Sequence, residues 1–262
     1  MKHVIRLLVC VFCLGFFVPS IGAGETPSPG IHKPGPDEAL KMLHLGNERF
    51  YSGKAIHPHA NVDRLKLAGN EDQGKHAYAT VLACSDSRVP VEIIFDAGVM
   101  DIFVVRVAGN VCNTDEIGSI EYGLAHVHTP VLVVLGHTQC GAVTTVTHAV
   151  NGKDYKLERN IPPLIDQIFP AVERAISQHK EIVGDAIIPY AIQENIWQGI
   201  ENLFRKSPTV RAMVKNGQAK VVGAIYNVET GEVEWLSLDK VDGILKMVEA
   251  SPDKETEPFA VK

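Results

Sequence analysis

Residues 131–143, VLVVLGHTQCGAV, decide how the chain is read. Apolar residues run without a break from Val131 to Leu135, and a polar, thiol-bearing turn follows. A half-exposed strand would alternate apolar and polar residues. A continuous run suits a strand covered on both faces, as in a parallel sheet. A second stretch has the same form. VLACSDSRVP, residues 81–90, is an apolar strand that stops at Cys84, with Asp86 and Arg88 directly behind it. Open α/β sheets bind ligands beyond the carboxyl ends of their strands, so both turns are candidate site segments.

The rest of the chain organises around these two strands. PDEALKMLHLGNERFYSGK, residues 36–54, reads as a helix, with proline and acidic residues at its start and Ala39, Leu40, Leu43 and Phe50 as an apolar stripe. DIFVVRV (101–107) is a further strand, IGSIEYGLAHVH (117–128) a helix and GAVTTVTHAV (141–150) another. Residues 161–216 read as helical, broken into pieces at Pro170, Pro189 and Pro208. AKVVGAIYNVETGEVEWLSL (219–238) reads as two strands joined by a turn at ETGE. Strands alternating with helices predict an α/β single domain. It should have a mainly parallel central β-sheet flanked by helices, an antiparallel edge strand and an N-terminal helical arm. The domain is expected over residues 37–250, followed by a loose polar tail, 251–262.

Bulk properties narrow the function. The 262 residues are 45% hydrophobic, ample for one sizeable core, and carry a net charge of −6 with no basic block, which argues against nucleic acid as a partner. The start has the order of a secretory signal: Lys2 and Arg6, then LLVCVFCLGFFV, then small residues. The apolar run is short for a membrane span. Residues 1–23 are therefore expected to be a removed signal peptide, 24–36 a Pro/Gly linker, and the mature protein exported to a bacterial periplasm without stable membrane insertion. Of five cysteines, Cys10 and Cys13 would leave with the signal, and Cys84, Cys112 and Cys140 remain. Three cysteines without paired spacing are not a disulfide scaffold. A single Cys84–Cys140 disulfide stays open as an alternative, but it leaves His137 and Asp86 without a role.

Two neighbouring strand ends would bring Cys84, His137 and Cys140 together. Two thiolates and one imidazole form a donor set that suits zinc, and three protein ligands leave a fourth position for water. Asp86 and Arg88 adjoin this set. Arg88 would hold Asp86 ionised and oriented, so that Asp86 could accept a hydrogen bond from metal-bound water or, in a resting state, act as a fourth ligand.

Through CSDSRVP (84–90) and GHTQCGAV (136–143) the sequence resembles the β-class carbonic anhydrases. DIFVVRVAGN and GSIEYGLAHV between them are also close to the family pattern, and the resemblance runs from about Asp37 through the C-terminal hairpin. It implies one Zn2+ per chain on Cys84, His137 and Cys140, a catalytic dyad of Asp86 and Arg88, and an aromatic substrate pocket at Phe103 and Tyr122. It further implies pocket residues from a partner chain, hence a homodimer or higher even oligomer, with the N-terminal helix packing on the partner. The implied reaction is reversible hydration of CO2 to bicarbonate and a proton by zinc-bound hydroxide, with backbone N–H groups near Gly141 steadying the product's charge. A COS or CS2 hydrolase on the same fold, or a non-catalytic zinc-stabilised module, are the alternatives.

The sequence departs from the family at two places. Lys75 stands where many members have a glutamine, with Gln73 nearby. Arg106 matches the arginine of an inhibitory bicarbonate site, but Val81 occupies the tryptophan position, so that site is expected to be absent. His57, His59, His76, His126 and His128 read as surface or packing residues, and Cys112 as a buried small side chain.

Overall fold

The computed structural model describes residues 33–153 and 156–260. The expected signal peptide and most of the linker lie outside the described residues. In chain order the helices and strands are α1 (Pro36–Tyr51), α2 (Val62–Ala68), β1 (Ala79–Ala83), α3 (Val91–Ile94), β2 (Ile102–Arg106), α4 (Thr114–Glu121), β3 (Val131–His137) and α5 (Gly141–Val150). They continue as α6 (Ile161–Ile165), α7 (Phe169–Gln178), α8 (Ile188–Lys206), α9 (Pro208–Lys215), β4 (Lys220–Tyr226), β5 (Val233–Trp235) and α10 (Leu238–Ala250). Among the described residues, no helix is long and apolar enough to cross a membrane.

The strands form one sheet in the order β2-β1-β3-β4-β5. All neighbours are parallel except β4 and β5, which make the antiparallel edge. This is the architecture expected from the continuous apolar runs. Every residue of β3 is buried, and its side chains divide by the strand's period of two. Leu132 and Val134 enter a core built with Ile196, Ile200, Leu203 and Phe204 of α8. Val131, Val133 and Leu135 enter the opposite core, with Leu43 of α1 and Ile94 and Phe95 at α3. A third cluster, with Val143 and Val146 of α5, Val172 of α7 and Ile192 of α8, lies around Cys84 and Cys140.

The prolines start helices rather than merely separating them. Pro170 and Pro189 are second residues and Pro208 the first residue of their helices. There the missing N–H is one that the helix would leave unpaired anyway, and the fixed φ is already helical. Two expectations need correction. First, β5 spans only Val233–Trp235, and the chain then enters α10, which the sequence reading did not anticipate. Its inward stripe is Val241, Ile244 and Val248, a helical spacing hidden among charged residues. Second, the tail beyond it is tied down, because Glu255 N–H donates to the Arg205 carbonyl at 2.8 Å and the buried Arg211 guanidinium donates to the Glu255 carbonyl at 2.5 Å.

The N-terminal helix lies on its own sheet. Gly46 of α1 lets the helix touch α3's end, since a Cβ there would fall 1.9 Å from the Phe95 carbonyl oxygen. Asn47, 2% exposed, then joins three segments. Its Nδ2 donates to the Ile94 carbonyl at 3.1 Å and the Gly231 carbonyl at 2.9 Å, and its Oδ1 accepts from Val233 N–H at 2.9 Å. Replacing Asn47 with leucine would bury three backbone groups without partners. A loss of roughly 2–4 kcal/mol of unfolding free energy is expected in a urea titration, from the penalty for unpaired buried groups. A midpoint unchanged from that of the unmodified chain would contradict this role.

Candidate metal centre

Cys84 is the first residue after β1, His137 is the last residue of β3, and Cys140 caps the start of α5. β1 and β3 are hydrogen-bonded neighbours, paired from Thr80 with Leu132 to Ala83 with Leu135. Their carboxyl ends therefore lie side by side, and the three side chains converge. One ligand atom from each of Cys84, His137 and Cys140 lies within 4.8 Å of the others. All three residues are buried, at 5%, 0% and 1% exposure.

Hydrogen bonding prepares these atoms for a metal. His137 Nδ1 donates to the Thr138 carbonyl at 2.9 Å, which leaves Nε2 as the ring nitrogen able to meet a metal. That Nε2 is buried and has no hydrogen-bond partner. An orphaned buried acceptor is unfavourable unless something electrophilic meets it. The two cysteines are free thiols, not a disulfide. Cys84 is pulled well below an ordinary thiol, first by the hydrogen bond from Cys140 and then, against the opposing effect of burial, by the nearby His137 imidazole and the amides of Asp86 and Gly109. The Gly109 N–H lies 3.3 Å from the Cys84 sulfur. Cys140 is pushed up in turn by its bond to Cys84 and by burial. Two soft sulfurs and one imidazole nitrogen, poised in this way, fit the tetrahedral zinc donor set with one position left over.

Asp86 and Arg88 pair as expected. Arg88 Nε and Nη2 donate to the two carboxylate oxygens at 3.0 and 2.7 Å, and the Arg88 backbone N–H donates to Oδ1 at 2.9 Å. The guanidinium holds the Asp86 carboxyl well below the usual carboxylate range. Both oxygens thus face Arg88, and Asp86 stands outside the three-donor cluster.

Several residues that shape the site were not assigned that role from the sequence. Arg106, at the end of β2, donates from Nε to the Cys84 carbonyl at 3.1 Å and from Nη2 to the Asp86 carbonyl at 2.7 Å. It clamps the main chain on both sides of Ser85. Gly109 has φ 73°, and a Cβ there would lie 2.8 Å from Ile168 Cδ1. Its carbonyl accepts from buried Asn195 at 2.8 Å. The VAGN stretch was quoted above only as a family match, and its work on Cys84 becomes visible only in three dimensions. Gln139 contacts Arg88 from the second loop, with Arg88 Nη1 donating to its Oε1 at 3.2 Å.

The aromatic pair lies elsewhere in the chain. Phe103 and Tyr122 face each other with ring centroids 6.0 Å apart. Phe103 pairs with Thr80 in the sheet, four residues before Cys84, so it sits roughly 13 Å down the strand from the metal-ligand level. Tyr122 is 52% exposed, at the start of a π-helical turn. Gly141 is the first residue of α5, beside Cys140. Lys75 makes an exposed ion pair with Glu71 at 3.8 Å. His59 and His76 are engaged by Asp101 and Glu71. Cys112 is buried in the core, where desolvation pushes its thiol up to about 12.

Comparison with known proteins agrees with this geometry. The family model described as carbonic anhydrase matches residues 79–233, which include all three donors. "Carbonic anhydrase 2" of Mycobacterium tuberculosis (strain ATCC 25618 / H37Rv) is 34% identical over 198 residues, covering 75% of this chain and 90% of that protein. A carbonic anhydrase of Mycolicibacterium smegmatis is 32% identical over 203 residues, covering 77% and 94%. In three dimensions the chain is similar to the β-carbonic anhydrase CafA of Aspergillus fumigatus (TM-score 0.59, 23% identity, 78% of this chain and 96% of that one). It is also similar to one of two β-carbonic anhydrases of Sordaria macrospora described as tetrameric (TM-score 0.57, 23% identity, 74% and 94%). With two strand ends converging on two thiols and an imidazole, and with relatives matched across three quarters of its length, the chain belongs to the carbonic anhydrase family whose model it matches.

Proposed function

We propose that this carbonic anhydrase family member hydrates CO2 reversibly to bicarbonate and a proton, using one zinc ion per chain held by Cys84, His137 and Cys140. The observation that carries the metal assignment is the partnerless, buried Nε2 of His137 among two thiol sulfurs. Bound zinc would supply Lewis acidity that brings the pKa of a water to about 7.

The chain's own residues do the rest. Asp86, kept ionised and aimed by Arg88, acts as an acceptor that holds the nucleophile's proton away from the attacking lone pair. A closed structural zinc site needs no such dyad. The positive end of α5, which begins at Gly141, lies where developing negative charge can be steadied by backbone N–H groups. A closed state with Asp86 as fourth ligand would require the carboxylate to leave its two-pronged bond with Arg88.

The oligomer reading rests on Phe103 and Tyr122. Phe103 stands too far down the edge strand, with Tyr122 packed against it, to wall this chain's own site, whereas a second copy could present the same pair to it. Among the described residues β2 is an unpaired edge of the sheet, and α1 leaves Met42, Leu45 and Tyr51 on the outside. We therefore propose a homodimer or higher even oligomer in which each chain completes its partner's pocket. Residues 1–23 support export to a periplasm. Cell fractionation checks this: activity confined to the cytoplasmic fraction with residues 1–23 still attached would contradict it.

Stopped-flow hydration of CO2 by the zinc-loaded protein tests the main reading. Rapid turnover is expected, with Asp86→Asn lowering kcat/KM by roughly a hundredfold at unchanged zinc content, as for removal of a group acting on a proton in the transition state. Zinc-loaded protein that leaves the uncatalysed rate unaltered would overturn the proposal.

A further inference from the structure

Between the ligands His137 and Cys140 stands Gln139, a residue with no ligand role and a left-handed backbone at φ 59°. Such a conformation is uncommon for a side chain other than glycine, and it persists where the surroundings over-determine it. Here it turns both polar ends of the residue towards one group. The side-chain Oε1 accepts from Arg88 Nη1 at 3.2 Å, and the backbone carbonyl accepts from Arg88 Nη2 at 3.2 Å.

These bonds answer a mechanical problem. Asp86 and Arg88 belong to the same loop, so their mutual bonds fix each to the other but neither to the donors carried by β3. The Arg88 side chain is 45% exposed, and the pair could swing as a unit. Arg106 fixes the loop's main chain through the Cys84 and Asp86 carbonyls, but it does not touch the Arg88 side chain in any described bond. Gln139 does. It joins the guanidinium to the turn that carries His137 and Cys140. That turn is itself anchored, because Thr138 N–H donates to the Tyr226 carbonyl at 2.9 Å and Thr138 Oγ1 accepts from Val228 N–H at 3.1 Å.

We propose that Gln139 is a positioning residue for the Asp86–Arg88 pair, fixing the guanidinium to the second metal-ligand turn and so setting where the Asp86 carboxylate stands relative to the three donor atoms. The inference rests on the reading of the site as a hydration centre. Gln139 acts only through Arg88, and its amide is suited to this because it accepts from a cation without adding a charge beside the metal ligands.

The test uses the full zinc-loaded protein and four variants: Gln139→Met, which keeps length but loses the acceptor; Gln139→Glu, which keeps an acceptor; Arg88→Ala; and Arg88→Ala combined with Gln139→Met. The first readout is independent of turnover: the Arg88 guanidinium signals in 15N NMR, assigned by their loss in Arg88→Ala. Rotation about the Arg88 Cζ–Nη bonds should quicken in Gln139→Met and stay slow in Gln139→Glu. The second is kcat/KM, expected to fall roughly five- to tenfold in Gln139→Met, the size of a typical lost hydrogen bond. Zinc content should be the same throughout, and Gln139→Met should cause no further loss once Arg88 is alanine. Unaltered Arg88 signals in Gln139→Met, an equal loss with and without Arg88, or release of zinc would each overturn the proposal. If the unmodified enzyme hydrates no CO2, the functional reading fails on its own, and the NMR comparison still decides the link.

Discussion

Everything at this site depends on the parallel pairing of β1 with β3. The register sets Ala83 opposite Leu135, so Cys84 emerges beside the end of the strand that carries His137. A slip of one residue would turn every side chain of the strand to the other face of the sheet. The register is held by the two cores, because Leu132 and Val134 fit one and Val131, Val133 and Leu135 the other. The same apolar side chains that stabilise the sheet therefore determine where two thiols and an imidazole meet. The geometry of the three candidate donors is a consequence of packing that takes place away from the donor atoms.

Around that meeting point, charge and hydrogen bonding are arranged in layers. The three donors are buried, the sulfurs holding each other and nearby amides while His137 Nε2 has no partner, which disposes the cluster towards a cation. One step out, Asp86 is held ionised by Arg88. A further step out, Arg106 and the Gly109 turn fix the main chain and the Cys84 sulfur. Gly109 can do this because it adopts φ 73° and leaves no Cβ against Ile168. The order is physically sensible. Groups that must stay reactive are left with few bonds, and rigidity comes from backbone contacts that take no part in the chemistry.

Much of this was legible in the sequence, for identifiable reasons. A parallel sheet was written in the unbroken apolar runs at Val81–Ala83 and Val131–Leu135, and a strand-end location made Cys84, His137 and Cys140 a plausible ligand set. The Asp86–Arg88 pair was legible because the two residues are close in sequence. What was missed depends on distance or on mixed patterns. Asn47 reaches Gly231 and Val233 across most of the chain, and a lone asparagine in a helix gives no sign of this. Arg106 was noticed as a potential anion contact, whereas its guanidinium faces two carbonyls of another loop. α10 was overlooked because charged residues interrupt its Val241, Ile244 and Val248 stripe. The tail was expected to be loose from its polar composition, which says nothing of the Arg211 that holds it.

The account's central claim is that two neighbouring strand ends make a Cys2His zinc centre. X-ray absorption at the zinc K-edge of the purified protein tests it most directly. The account predicts stoichiometric zinc with two sulfur neighbours at about 2.3 Å and one imidazole nitrogen at about 2.0–2.1 Å, with a single further light atom. A shell of nitrogen and oxygen alone, or a spectrum unchanged when Cys84 and Cys140 are replaced by serine, would contradict it.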